Sequence, residues 1–258
     1  MRRWPQGPGG LLRKLEFVTT GPLERMRIAY QQRHESDYIF RFSSAFGWCV
    51  VTLGFYSLYI VFQLVRRSRD HNQRRLELLD AAVALTWEEA QAQALTEELR
   101  PEFQRVSEQV RVLGALTTAF RDPGLWVALT VVTGGLAQYV AWIVVDGDLT
   151  RHDEAERLIE SDLAAIYARL GRPIAAPEPA PPKGRHNVAG RIIATIASLG
   201  VYSIWWMRDV MTDGNAHFEH NWRFEDELAR ASRALSSGTS RSWGTSRSSS
   251  TSPSPSRA

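Results

Sequence analysis

The chain is almost without cysteine and lysine. Its single cysteine, Cys49, rules out an internal disulfide and any multi-cysteine metal site. Lys14 and Lys183 are the only lysines, so arginine supplies nearly all of the basic charge. A net charge of +3 is too small and too dispersed for a nucleic-acid footprint, and no nucleic-acid partner is expected. The opening MRRWPQGPGGLLRKLEF is basic but lacks a sustained apolar core, so no cleavable signal peptide is expected. A Walker A loop, H-E-x-x-H and G-x-S-x-G are all missing. No catalytic residue is therefore nominated, no cofactor is expected, and the chain reads as a non-enzyme.

Charge is also missing from three stretches. The mean hydropathy of −0.26 hides them, because the apolar residues are segregated into blocks. Between Arg41 and Arg66 lies FSSAFGWCVVTLGFYSLYIVFQLV, and between Asp122 and Asp146 lies PGLWVALTVVTGGLAQYVAWIVV. As continuous helices each would cover roughly 30 Å, the thickness of a bilayer's hydrocarbon. IIATIASLGVYSIWWM, between Arg191 and Arg208, is shorter, at about 24 Å. The blocks predict an all-α integral membrane protein of the cell (plasma) membrane, multi-pass, with the lipid bilayer as its principal partner.

The three blocks repeat. VTLGFYSLYIVFQLVRRSRDH, VTGGLAQYVAWIVVDGDLTRH and ASLGVYSIWWMRDVMTDGNAH align on Gly54, Gly135 and Gly200. Thr52, Thr133 and Ser198 stand two residues before the glycine, and aromatics cluster after it. His71, His152 and His217 follow it at a constant 17 residues (71−54, 152−135, 217−200). Glycine and histidine then sit about 25 Å apart along a helix and about 100° apart around it. The interval reads as a fixed helix length, in which an apolar half leaves the bilayer as a polar half. These six glycines and histidines are the candidate binding signature.

The third repeat, I-x-S-L-G-V-Y-S-I-W-W-M followed by D-x-x-x-D-x-N-x-H, resembles the small prokaryotic membrane domain catalogued as domain of unknown function 4234. Residues 51–71 share the pattern. Residues 132–152 depart from it at Ala137 and Gln138. The resemblance implies an integral membrane protein and brings no activity with it.

Two topologies fit these blocks. Single spans would invert the middle unit, but alternate sides then carry 8+7=15 and 9+7=16 basic residues, which leaves orientation undecided. Alternatively, each T-x-G breaks its block into a shallow hairpin. Glycine then permits the turn, and the Thr or Ser hydroxyl satisfies a freed backbone group.

The remaining chain divides by composition. Residues 1–40 form a basic segment, with roughly the first ten disordered. Residues 41–120 hold unit one and a long helical connection. Residues 121–172 hold unit two, residues 173–188 a stiff Pro-rich linker, residues 189–235 unit three, and residues 236–258 a disordered Ser-rich tail. Thr86 and Glu89 form a capping-box pattern. Phe103, Val106, Val110 and Leu113 form one apolar face, and Asp122-Pro123 starts a helix.

Asp209, Asp213 and His217 step by four along one helix face, with His220 nearby. Asp213, His217 and His220 are the candidate metal ligands, set against a solvated helix face outside the membrane. The functional expectation is a membrane scaffold or interaction module, with a homo-oligomer or membrane-protein partner through its amphipathic helices. A small channel or transporter subunit is the first alternative, and a metal-dependent membrane enzyme using His217 the second.

Overall fold

A computed structural model describes residues 21–117, 122–175 and 187–245. Among them are helices and no strand. In chain order the helices are α1 (Pro22–Gln31), α2 (Arg33–Ser36), α3 (Phe42–Val51), α4 (Tyr56–Ala92), α5 (Arg100–Thr117), α6 (Pro123–Val132), α7 (Leu136–Arg169), α8 (Val188–Ala197) and α9 (Ser203–Thr245).

Each apolar block is broken at its glycine. A ten-residue helix (α3, α6, α8) runs up to a turn, and a helix of 37, 34 or 43 residues (α4, α7, α9) runs back from it. Gly54, Gly135 and Gly200 have φ of 92°, 97° and 91°, which L-residues rarely adopt. Their N–H groups reach back five residues to the carbonyls of Cys49, Thr130 and Thr195. The preceding residue bonds three back, Leu53 to Val50, Gly134 to Val131 and Leu199 to Ile196. This is the Schellman closure of a helix C-terminus.

The hydroxyl that recurs in each repeat completes the turn. Thr52 Oγ1 donates to the Trp48 carbonyl and accepts from Tyr56 N–H. Thr133 serves Leu129 and Ala137 in the same way, and Ser198 serves Thr195 and Tyr202. One side chain thus caps the end of one helix and the start of the next.

This geometry corrects the membrane reading. No helix among the described residues is long and apolar enough to cross a membrane. The single-span form of the multi-pass, integral, plasma-membrane expectation counted each block as one rod, and the hairpin form counted each arm as half of one. The turn halves every block, and the long helices turn polar after about three turns in α4 and α7, at Arg66 and Asp146, and after about one and a half in α9, at Arg208.

The long helices pack on one another in register. Six residues past each glycine lie Ile60, Ala141 and Trp206; ten past lie Leu64, Val145 and Val210; all are buried. Trp142 and Trp206 meet with ring centroids 5.6 Å apart. Equivalent positions meet in layer after layer, so α4, α7 and α9 run parallel and the three turns lie at one end. The first apolar core sits just below the turns, built around Ile60, Leu64, Trp142, Val145, Trp206 and Met211. A second lies at the far end, where Leu78, Ile159 and Phe224, then Ala82, Leu163 and Leu228, repeat the register. There α1 packs on the outside through Met26 and Ala29, and α5 through Phe103, Val106 and Leu113.

Asp122 caps α6, accepting from Gly124 and Leu125 N–H, as the sequence suggests. The Thr86 pattern does not cap a helix. Thr86 is buried within α4, and its hydroxyl bonds the Ala82 and Val83 carbonyls. A threonine can satisfy itself on the preceding turn, so the capping pattern alone does not stop a helix. The Ser-rich tail begins as helix up to Thr245. The rest of the tail, the first ten residues and most of the 173–188 linker lie outside the described residues.

Candidate functional site: apolar tips above a buried polar layer

The turns expose what a folded chain ordinarily hides. Leu53 is 90% exposed, Val132 84% and Leu199 95%, with Val51, Phe55, Leu136 and Ile196 beside them largely exposed too. Leu53 and Leu199 also hold φ near +50°. A left-handed leucine costs about 1 kcal/mol, and neither gains packing in return. Below the tips comes a collar of rings, among them Trp48, Tyr59, Trp126, Tyr139, Tyr202 and Trp205, part buried and part exposed. Exposed arginines Arg41, Arg66 and Arg208 stand at the lower edge of this collar.

Deeper, between the two apolar cores, lies a polar layer. Arg67 of α4 is buried, stacked on Phe40 and Phe218 at 4.6 and 5.3 Å. It donates to the carbonyls of Tyr38, Val210 and Met211 and to Asn215 Oδ1. Burial lowers its pKa to about 9. A Cβ at Gly214 would run into its Nη2, so a side chain at that position would displace the Arg67 guanidinium.

His71, His152 and His217 are all buried, which overturns the picture of a solvated face outside the membrane. His71 and His217 meet, ring centroids 5.2 Å apart. His71 Nδ1 lies 2.9 Å from Asp37 Oδ1, and His217 Nδ1 3.1 Å from Asp153 Oδ1. A carboxylate only accepts, so both rings carry a proton on Nδ1, and in the neutral form of either ring Nε2 is an acceptor. Burial lowers the His71 pKa and keeps the ring neutral, although Asp37 opposes this. Burial alone would raise the Asp37 carboxyl. His71, Arg74 and Ser36 outweigh it and hold Asp37 well below the usual carboxylate range. His152 stays apart, its Nδ1 3.1 Å from the Asp148 carbonyl.

One helical turn further on, Arg75, Glu156 and Asn221 converge. Asn221 Nδ2 is 2.7 Å from Glu156 Oε2, and Arg75 Nε is 3.4 Å from the same oxygen. Arg75 is fully buried and also bonds Glu160 and, at 3.2 Å, Glu225. Arg74 bridges Glu225 at 2.9 Å and Asp37 at 2.8 Å. Three carboxylates crowd the Arg75 cation. Burial and its carboxylate neighbours raise Glu160 to about 8 despite that cation.

The repeat signature therefore divides. The three glycines make the turns, and two of the three histidines meet. Of the metal candidates, His217 joins His71 and Glu156, from α4 and α7. Asp213 and His220 are half-buried and stand outside that set, and Asp209 pairs with Arg191 at 2.8 Å. The sequence reading missed Arg75, Glu156 and Asn221, although they share a repeat position: 75−54, 156−135 and 221−200 all equal 21. Their residue types differ, and an alignment seeking identity passes over them. No family model, no curated protein and no solved structure matches this chain.

Proposed function

We propose that the chain docks on a lipid surface through its three hairpin tips and works there as a non-enzymatic scaffold. The bundle then stands on one leaflet with its polar body in water. The observation that carries this reading is the clustering of three exposed apolar tips at one end of a parallel bundle. Exposed apolar side chains gathered at one end of a bundle mark an interaction surface.

Lipid is the occupant that fits the surroundings. Each short helix is ten residues, about 15 Å, half the hydrocarbon thickness. The tips thus reach into one leaflet and stop. The turn hydroxyls and Schellman bonds leave few polar groups to dehydrate at the tips. Aromatic rings beneath suit the depth where hydrocarbon meets headgroup. Arg41, Arg66 and Arg208 stand where phosphates would lie.

Flotation of the full chain with liposomes tests this. The chain should rise with vesicles of phosphatidylcholine alone, more fully with added anionic lipid, and still at 0.5 M salt, because apolar insertion supplies most of the affinity. If it stays at the bottom of the gradient and sediments as a dimer, a second copy covers the tips and the lipid reading fails.

A further inference from the structure

Hydrogen bonding leaves the centre of the polar layer unsatisfied. Asn221 Nδ2 lies 3.4 Å from His71 Nε2, 3.2 Å from His217 Nε2 and 2.7 Å from Glu156 Oε2. An amide has two hydrogens for these three acceptors. Glu156 Oε1 is buried with no hydrogen-bond partner among the described residues. Both imidazoles have Nδ1 anchored on a carboxylate and aim Nε2 inward. That arrangement of carboxylate, histidine and inward nitrogen is the outer support found around metal ions, where it fixes the ring and strengthens its donor.

We propose that His71 Nε2, His217 Nε2 and the Glu156 carboxylate bind one divalent transition cation of the zinc type. The ligand atoms lie within 4.8 Å of one another, and His217 Nε2 is 3.8 Å from Glu156 Oε2. Tetrahedral bonds of about 2.1 Å need donor separations of about 3.4 Å, so the set closes with shifts of about 1 Å or less. Rotating the Asn221 amide by half a turn brings Oδ1 in as the fourth donor. Two nitrogens and two oxygens suit zinc, and cobalt as its surrogate.

The charge also fits. Five carboxylates, Asp37, Asp153, Glu156, Glu160 and Glu225, face four guanidiniums, Arg67, Arg74, Arg75 and Arg157, so the cluster holds enough anionic oxygen to accept a cation. The three primary ligands come from α4, α7 and α9, one from each repeat. All are buried, which makes the site closed and structural: a cross-link of the three units, with no open position for a substrate. Nothing in this assignment depends on lipid.

The test uses the full chain in mild detergent, with zinc itself as the probe. After loading and dialysis the chain should retain about one zinc. Cobalt should give the intense visible bands of a four-coordinate site. Zinc should raise Tm and a chelator should reverse the rise. His217→Gln should weaken retention at least tenfold, whereas His220→Gln should keep the metal. Asn221→Asp keeps the protein informative if His217→Gln misfolds: a fourth ligand turned anionic tightens zinc and enlarges the zinc-dependent rise in Tm. Retention below a tenth of an equivalent by the wild type would overturn the assignment. So would the weak spectrum of hydrated cobalt, or a His220→Gln protein that loses metal as His217→Gln does.

Discussion

Replacing Arg75 with methionine should destabilise the fold by about 3–5 kcal/mol. Methionine has similar length, so the loss is charge and hydrogen bonds more than volume. Glu156, Glu160 and Glu225 come from two other helices and all close on this guanidinium. None of the three is solvated. Removing the cation leaves carboxylates in a medium that cannot hydrate them, and only protonation relieves it. For a chain of this size the cost corresponds to a fall in Tm of about 10 °C. The triple variant Arg75→Met, Glu160→Gln, Glu225→Gln should recover part of the loss, because two of the three carboxylates go with the cation and Glu156 stays. Thermal denaturation of the two variants measures this. A single variant within 1 kcal/mol of wild type would show that Arg75 is not the link between the repeats.

Glutamate at all three tips should abolish vesicle binding and leave the fold intact. Leu53, Val132 and Leu199 touch almost nothing in the protein, so Leu53→Glu, Val132→Glu and Leu199→Glu together should keep Tm and helix content unchanged. In lipid each side chain contributes about 1.5–3 kcal/mol of apolar transfer. Losing three removes at least about 4.5 kcal/mol, more than a thousandfold in partitioning, before the cost of burying a carboxylate is added. A variant that still floats would place the lipid contact elsewhere. One that loses Tm would mean the tips are packed, against a partner copy if not against this chain.

The turns were legible as one of two alternatives, because their chemistry is local. A T-x-G needs a glycine at positive φ, and the Thr or Ser hydroxyl two residues earlier can reach only the turn's own backbone. The helix start at Asp122-Pro123 and the buried face of α5 were legible for the same reason. What misled was additive hydropathy: counted across the break, 42–65 has the length of a span, yet folded back it has half of it. The equal Gly–His spacing was visible, but its meaning as a register between parallel helices was not. Register is set by partners far away in sequence, as when His71 meets His217 or Asn221 meets Glu156. The polar layer was hidden for a further reason. Position 21 after each glycine holds Arg, Glu and Asn, which complement one another without resembling one another.

The central claim is that the tips enter a single leaflet. A Cys49→Ser chain carrying Leu199→Cys, labelled with an environment-sensitive fluorophore, tests it most directly. With vesicles added, the emission should shift to the blue. Lipids brominated along the acyl chain should quench it, and a water-soluble quencher trapped inside the vesicles should not reach it. Emission unchanged by vesicles, or quenched from the trapped side, would contradict the account.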